Sequence, residues 1–306
     1  MPILGIVNAS KSNFRGVAGY FGGGNGGGLL DGIDKITFPA DTKTTLSATL
    51  TSARRDLAAM ANSGVAGYFG GGYDSAPLSG IDKITFPADT KTTLSATLTS
   101  ARYYVQGMAN SGVAGYSGGG YTPSYLSGID KITFPADTKT TLSATLTTAR
   151  LTIAGMANSG VAGYFGGGND GADISGIDKI TFPADTKTTL SATLTTGSNA
   201  PAGMANNGVA GYFGGGNNGA NLDRIDKITF PADTKTTLSA TLTSAREYLA
   251  GMSNSGVAGY FGGGNDGANI SGIDKITFPA DTKTTLSATL TSARRALTGM
   301  ADSAIL

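Results

Sequence analysis

The chain contains no cysteine, no histidine and no tryptophan. Without cysteine there is no disulfide framework, no thiolate nucleophile and no thiolate metal site. Without histidine the commonest general base and the commonest zinc ligand are both missing. Charge is scarce and balanced, at 22 basic against 21 acidic residues. No basic stripe remains to follow a phosphate backbone, so nucleic acid is not an expected partner. No apolar run approaches the roughly 18 residues that a bilayer requires, so membrane insertion is not expected either. The opening MPILGIVNASKSNF has no basic stretch ahead of its short apolar run and does not read as a secretory signal. No catalytic residue, metal ligand set or cofactor motif can be assigned, and the chain is not expected to be an enzyme.

Glycine is what the sequence has in excess, and it is periodic. The stretch GVAGYFGGG places its tyrosine at Tyr20, Tyr68, Tyr116, Tyr164, Tyr212 and Tyr260, a step of 48 residues each time. A second block, GIDKITFPADTKTTLSATL, keeps the same phase, with isoleucine at Ile33, Ile81, Ile129, Ile177, Ile225 and Ile273; Arg224 replaces its glycine in the fifth copy. Six copies fill the chain. A fixed period of this size marks a propeller, a solenoid or an array.

Each copy divides into four strand-like segments, which in one unit cover 103–109, 113–118, 129–134 and 141–146. The third is β-branched and aromatic and stops at Pro135, because proline cannot continue a ladder. The fourth, TLSATL, alternates as a half-buried strand does. Turn chemistry separates them, and no segment carries a helical period long enough to matter. The expected fold is therefore all-β: a six-bladed β-propeller with four antiparallel strands in each 48-residue blade. The glycine run after the second strand is expected to permit close backbone approach near the central channel. It is not expected to cradle a phosphate, since no helix follows it.

At Tyr20-Phe21-Gly22-Gly23, at 33–38 and at 49–54, and in the later copies, the sequence resembles the kelch repeat family. Leu46 and its equivalents stand about where that family usually has tryptophan. The resemblance covers all six copies and implies a propeller that binds other molecules. The opening MPILGIVNASK resembles the start of many tailed-bacteriophage virion proteins, and arrays with YFGGG and IDxI blocks are similar to proteins of such phages, including those of cyanobacteria. What this implies is a structural or host-recognition part of a virion, reached by lysis or particle assembly.

Ring closure needs one more strand than the repeats supply. Residues 296–306 and residues 4–10 both match the first-strand segment. The C-terminal segment is expected to close a propeller spanning 16–306, which leaves 1–15 as an extension whose Leu4, Ile6 and Val7 form an assembly strand for another edge. The other solution, closure by the N-terminal segment, has the C-terminal end lying along the surface.

The copies differ in two windows. One follows the glycines, starting at Asn25, Tyr73, Tyr121, Asn169, Asn217 and Asn265. The other starts at Arg54, Arg102, Arg150, Ser198, Arg246 and Arg294. In a four-stranded antiparallel blade the 2–3 and 4–1 loops leave by the same face, so both windows are expected on one variable face, opposite a nearly six-fold constant face. Tyr73, Tyr103, Tyr104, Tyr121, Tyr125 and Tyr248 are the expected exposed contacts there, since tyrosine suits protein and sugar surfaces alike. Loops also simply tolerate change. Asp34-Lys35 and its equivalents are expected to be solvated or packed between blades, and the arginine positions to be structural rather than anion-binding. NDGAD and NDGAN read as ordinary turns and not calcium loops.

The functional expectation is a non-enzymatic structural or adhesion component of a phage virion or comparable extracellular assembly. Its partners would be other assembly proteins, further copies of itself and a host-surface glycan or protein. The alternative is a multivalent carbohydrate-binding lectin with one site per blade.

Overall fold

The computed structural model describes residues 18–302, which form six four-stranded antiparallel sheets arranged as a β-propeller. Blade 1 contains β1 (Ala18–Gly22), β2 (Ile33–Thr37) and β3 (Thr42–Thr45), and β4 (Ala58–Asn62) opens blade 2. Blades 2 to 6 occupy 58–93, 106–141, 154–189, 202–237 and 250–285. Blade 1 takes its inner strand from the other end of the chain. Thr298–Asp302 pairs antiparallel with β1, with Ala18 opposite Asp302 and Gly22 opposite Thr298. Leu4, Ile6 and Val7, with the rest of 1–15, lie outside the described residues.

The outer strand differs from the sequence expectation. It is Thr138–Thr141 in blade 3, not 141–146. Asp137 adopts a left-handed conformation (φ 55°) and turns the chain back at once, so TKTT pairs with IDKIT. The alternating TLSATL segment that follows leaves the ladder. Leu142 and Leu146 donate their N–H groups to Ile129 and Ser127, and the Leu146 side chain is buried. Its period of two comes from a strap anchored at every fourth residue, not from a strand. The inner strand is also shorter than expected, Gln106–Asn110.

The glycine run is not at the axis. The inner strands line the channel, and there Gly107, Gly155, Gly203, Gly251 and Gly299 lie against the backbone of the preceding inner strand, where a Cβ would meet a carbonyl. The run after the second strand reaches the variable face instead. Gly23 (φ 64°) turns the chain there beside the Arg54 carbonyl.

Blades pack face to face. Tyr20 stacks on Phe86 of the next blade with centroids 4.9 Å apart, and the arrangement recurs around the ring. Phe69 fills the slot opposite Gly22 of the preceding blade, as Phe165, Phe213, Phe261 and Phe21 do at theirs. Blade 3 carries Ser117 in this place. Ser117 is completely buried, and its Oγ has no hydrogen-bond partner among the described residues. At the facing Gly70 an added Cβ would meet no ring, its nearest contact being Ile81 Cγ1 at 3.5 Å.

Two polar latches join each pair of blades. In the lower one, Asp89 in the 3–4 turn of blade 2 accepts the Tyr20 hydroxyl at 2.9 Å and the Lys35 ammonium at 2.6 Å. The same contact closes the ring, from Tyr260 and Lys275 of blade 6 to Asp41 of blade 1. Burial first, and then the bond to Asp89, push the Tyr20 phenol far above its usual range, so it stays a donor. In the upper latch, buried Asp82 accepts the Thr51 N–H at 2.9 Å, the Thr93 hydroxyl at 2.9 Å and Arg54 Nη2 at 2.8 Å. Burial would raise this carboxyl, but the Thr51 bonds and Arg54 outweigh it and hold it below the usual range.

One upper latch is built differently. Ser198 stands where the other links have arginine, and its hydroxyl donates to the Gly215 carbonyl. The unmatched carboxylate, Asp226, is approached by Nε of Arg224 at 3.5 Å. Arg224 is the one departure from glycine at its position. The guanidinium lost from the strap has been replaced by one on the blade itself.

Three outcomes follow. Ser117→Phe refills the empty slot and removes an unpaired buried hydroxyl, and should raise unfolding stability by about 2 kcal/mol; a urea midpoint at or below that of the native chain would contradict the packing. Arg224→Gly should cost about 1 kcal/mol, since its ion pair is long but largely shielded, and Ser198→Arg should recover that loss; a double-mutant cycle without coupling would show that the two arginines are not equivalent. Asp302 stands where the other inner strands end in asparagine and accepts the Gly64 N–H at 2.5 Å. Burial, with a smaller contribution from Asp89, raises its carboxyl above the ordinary 3.8. The folded state therefore resists ionising it, and stability is lost as pH rises from the ordinary value through the raised one. Asp302→Asn should be more stable than the native chain at pH 7, with the advantage disappearing at pH 3. A gap independent of pH would count against this.

Candidate recognition face

Both variable windows lie on one face, and bridges join them directly. Arg55 pairs with Tyr73, Tyr103 with Tyr121, Leu151 with Asn169, Asn199 with Asn217, Glu247 with Asn265 and Asn25 with Arg295. In four blades the window after the glycines is an asparagine turn, where Asn169 Oδ1, for example, accepts the Gly171 N–H at 2.9 Å. Asn169 Nδ2 donates to Asp173 Oδ1 at 2.9 Å, so NDGAD is held as a hydrogen-bonded turn. Blades 2 and 3 have tyrosine at that position.

All six tyrosines singled out from the sequence meet in one continuous cluster. Tyr125 contacts Tyr121 edge-on with centroids at 5.6 Å, and Tyr121 contacts Tyr103 in the same way at 5.6 Å. Tyr103 lies 5.0 Å from Tyr73 and 4.7 Å from Tyr104. Tyr104 reaches Tyr248 at 6.2 Å, across the axis from the link that enters blade 6. Their exposure is less than the sequence expectation implied. Tyr125 is 37% exposed and the other five are half-buried, because each ring is packed by the next. The cluster is thus a rigid surface with little rotamer freedom left to lose on binding.

The links form a crown around the axis. Asp56, Tyr104, Thr152, Ala200, Tyr248 and Ala296 occupy equivalent positions, all with φ between 52° and 58°. Backbone hydrogen bonds run from Asp56 N–H to Ala296, Ala296 to Tyr248, Tyr248 to Ala200, Ala200 to Thr152 and Thr152 to Tyr104. The cup they enclose holds only about 40 Å³. That is room for water and not for a small-molecule ligand. A wider funnel of about 350 Å³, lined mainly by methionine, alanine and serine, opens on the constant face.

Two charged residues beside the cluster had escaped the sequence reading. Arg55 Nη1 donates to Asp56 Oδ2 at 2.6 Å, and its guanidinium lies over the Tyr73 ring at 5.2 Å. The Asp56 side chain is only 2% exposed. Burial pushes its carboxyl up to about 7 against the pull of Arg55 and Arg295. The signal was present: only two links carry a second arginine, Arg55 and Arg295, and Asp56 is the one acid at its crown position. The first arginines, Arg54, Arg102, Arg150, Arg246 and Arg294, are buried and committed to the upper latches, which leaves them unable to bind an external anion. Asp34 and its equivalents are committed in the same way, and Lys35 and its equivalents serve the lower latch.

No family model matches the chain, and no curated protein matches it in sequence.

Proposed function

We propose that this propeller is a non-enzymatic recognition component, presenting the variable face to a partner surface. The observation that carries the reading is the convergence of Tyr73, Tyr103, Tyr104, Tyr121, Tyr125 and Tyr248, drawn from four separate loops, into one packed aromatic patch. A patch of this kind offers apolar area, hydroxyl groups and low ordering cost together. The carboxylates and cations shared by every blade are occupied in latches, which favours a structural role for them over chemistry. The setting we propose is a phage virion or comparable extracellular assembly, with further copies of the chain among its neighbours. That part rests on the likeness of the repeats and of residues 1–11 to virion proteins.

A lectin with one site per blade is the weaker reading. The tyrosines of the 2–3 loops occur only in blades 2 and 3, and the other blades carry asparagine turns in their place, so the surface chemistry is asymmetric. One site per propeller is therefore expected.

The test is binding of the purified chain to a glycan array and to host cell-envelope preparations, with Tyr103→Ala and Tyr121→Ala variants alongside. Loss of binding by about tenfold or more in either variant is expected, which is about 1.4 kcal/mol. Binding that survives both substitutions would remove the patch from the function. A stoichiometry of six sugars per chain would favour the lectin.

A further inference from the structure

The tyrosine patch is not held by ring packing alone. Arg55 lies among three of its members, over Tyr73 at 5.2 Å and facing Tyr103 and the Tyr104 hydroxyl. Its own position is set by one short ion pair, to Asp56 Oδ2 at 2.6 Å. Asp56 has little freedom to move, because its backbone is fixed in the crown (φ 58°) by the bond from its N–H to Ala296 and its side chain is enclosed. The charged and titratable groups around it are Arg55 on its own link, Arg295 on the link before the closing strand and Tyr248 on the link into blade 6. Glu247, also raised by burial, faces Arg295 and acts on Tyr248, its neighbour on the same link.

We infer that Asp56 and Arg55 are the positioning residues of the recognition patch, and that gain or loss of one proton on Asp56 fastens or frees the arginine that orders Tyr73, Tyr103 and Tyr104. This rests on the reading of the patch as the recognition surface and adds its regulation. The ionised carboxylate holds the guanidinium in place by a charge-assisted bond; the neutral acid keeps at most a weaker hydrogen bond. Burial brings the exchange into the neutral range, to about 7. The carboxyl is then mostly protonated on the acidic side of neutrality and mostly ionised on the alkaline side. The patch is ordered on the alkaline side and loosened on the acidic side.

The experiment is nuclear magnetic resonance of the free chain with ring-labelled tyrosine, from pH 5 to pH 9. Tyr73, Tyr103 and Tyr104 should shift together with one midpoint near neutrality, while Tyr164 and Tyr212 in the lower latches stay still. Asp56→Asn should hold the acidic pattern at every pH. Arg55→Ala removes the counter-ion, so the midpoint sensed by Tyr248 should move upward, a change that a merely structural role for Arg55 would not produce. Flat tyrosine shifts in the native chain would overturn the inference. So would a titration that persists in Asp56→Asn, or one in which Tyr164 moves with the patch. Because the readout uses no ligand, it can fail while the patch still binds, and binding can fail while the titration is seen.

Discussion

Everything in this ring depends on the dipeptide Asp-Lys in the third strand of each blade. Adjacent residues of a strand point to opposite faces, and in a propeller those faces look at different neighbours. Asp82 looks back and receives Thr51 and Arg54 from the strap arriving from blade 1. Lys83 looks forward and reaches Asp137 in the turn of blade 3. One pair of residues therefore ties three consecutive blades. Buried ion pairs contribute modestly to net stability because desolvation opposes them, but they penalise misalignment heavily. Their use here fits a stack of nearly identical sheets, whose apolar faces would tolerate small slips that the latches do not.

That constraint shapes which positions can vary. Tyrosine, lysine and the turn aspartate form one set, and the buried aspartate, threonine and arginine another, so a change in either set needs an answer elsewhere. The fifth blade shows such an answer. Ser198 removes a guanidinium from the strap, and Arg224 brings one to the same carboxylate from a position that is glycine in every other copy. Ser117 shows a change without one, leaving a buried hydroxyl unpaired in a slot shaped for phenylalanine. Apolar slots can carry such a defect singly because their energy is spread over many contacts. A buried carboxylate concentrates its energy in a few bonds and cannot be left alone.

The architecture was legible because it is written six times. The 48-residue period, four strand-like segments per copy and the loop parity of an antiparallel blade were enough to place both windows on one face. Strand limits were less legible. TLSATL carries the alternation of a strand, yet its leucines anchor a strap, and a local pattern of two cannot distinguish those uses. The glycines were misplaced for a related reason. GYFGGG stands out by composition, but the close approach at the axis is made by single glycines such as Gly107 and Gly155, which only the three-dimensional neighbours explain. Within the variable face, the tyrosines could be picked out by type. That they touch one another, and that Arg55 and Asp56 lie against them, depends on the crown, a ring of residues 48 apart that no local window displays.

The division between frame and surface also limits where specificity can reside. A ring whose copies share nearly every latch repeats most of its constant face from blade to blade, so that face offers a partner little to fix a single orientation. Orientation must come from departures. Those departures converge on blades 2 and 3 and on the axis: tyrosines in place of asparagine turns, a second arginine, and an acid in the crown. A binding site distributed evenly over the blades would need its chemistry repeated, and the sequence repeats only the chemistry that holds the blades together. On the proposed reading the asymmetric patch is where a partner would be told from a non-partner, and the Arg55–Asp56 ion pair beside it would make that recognition depend on a contact belonging to neither the repeat nor the partner.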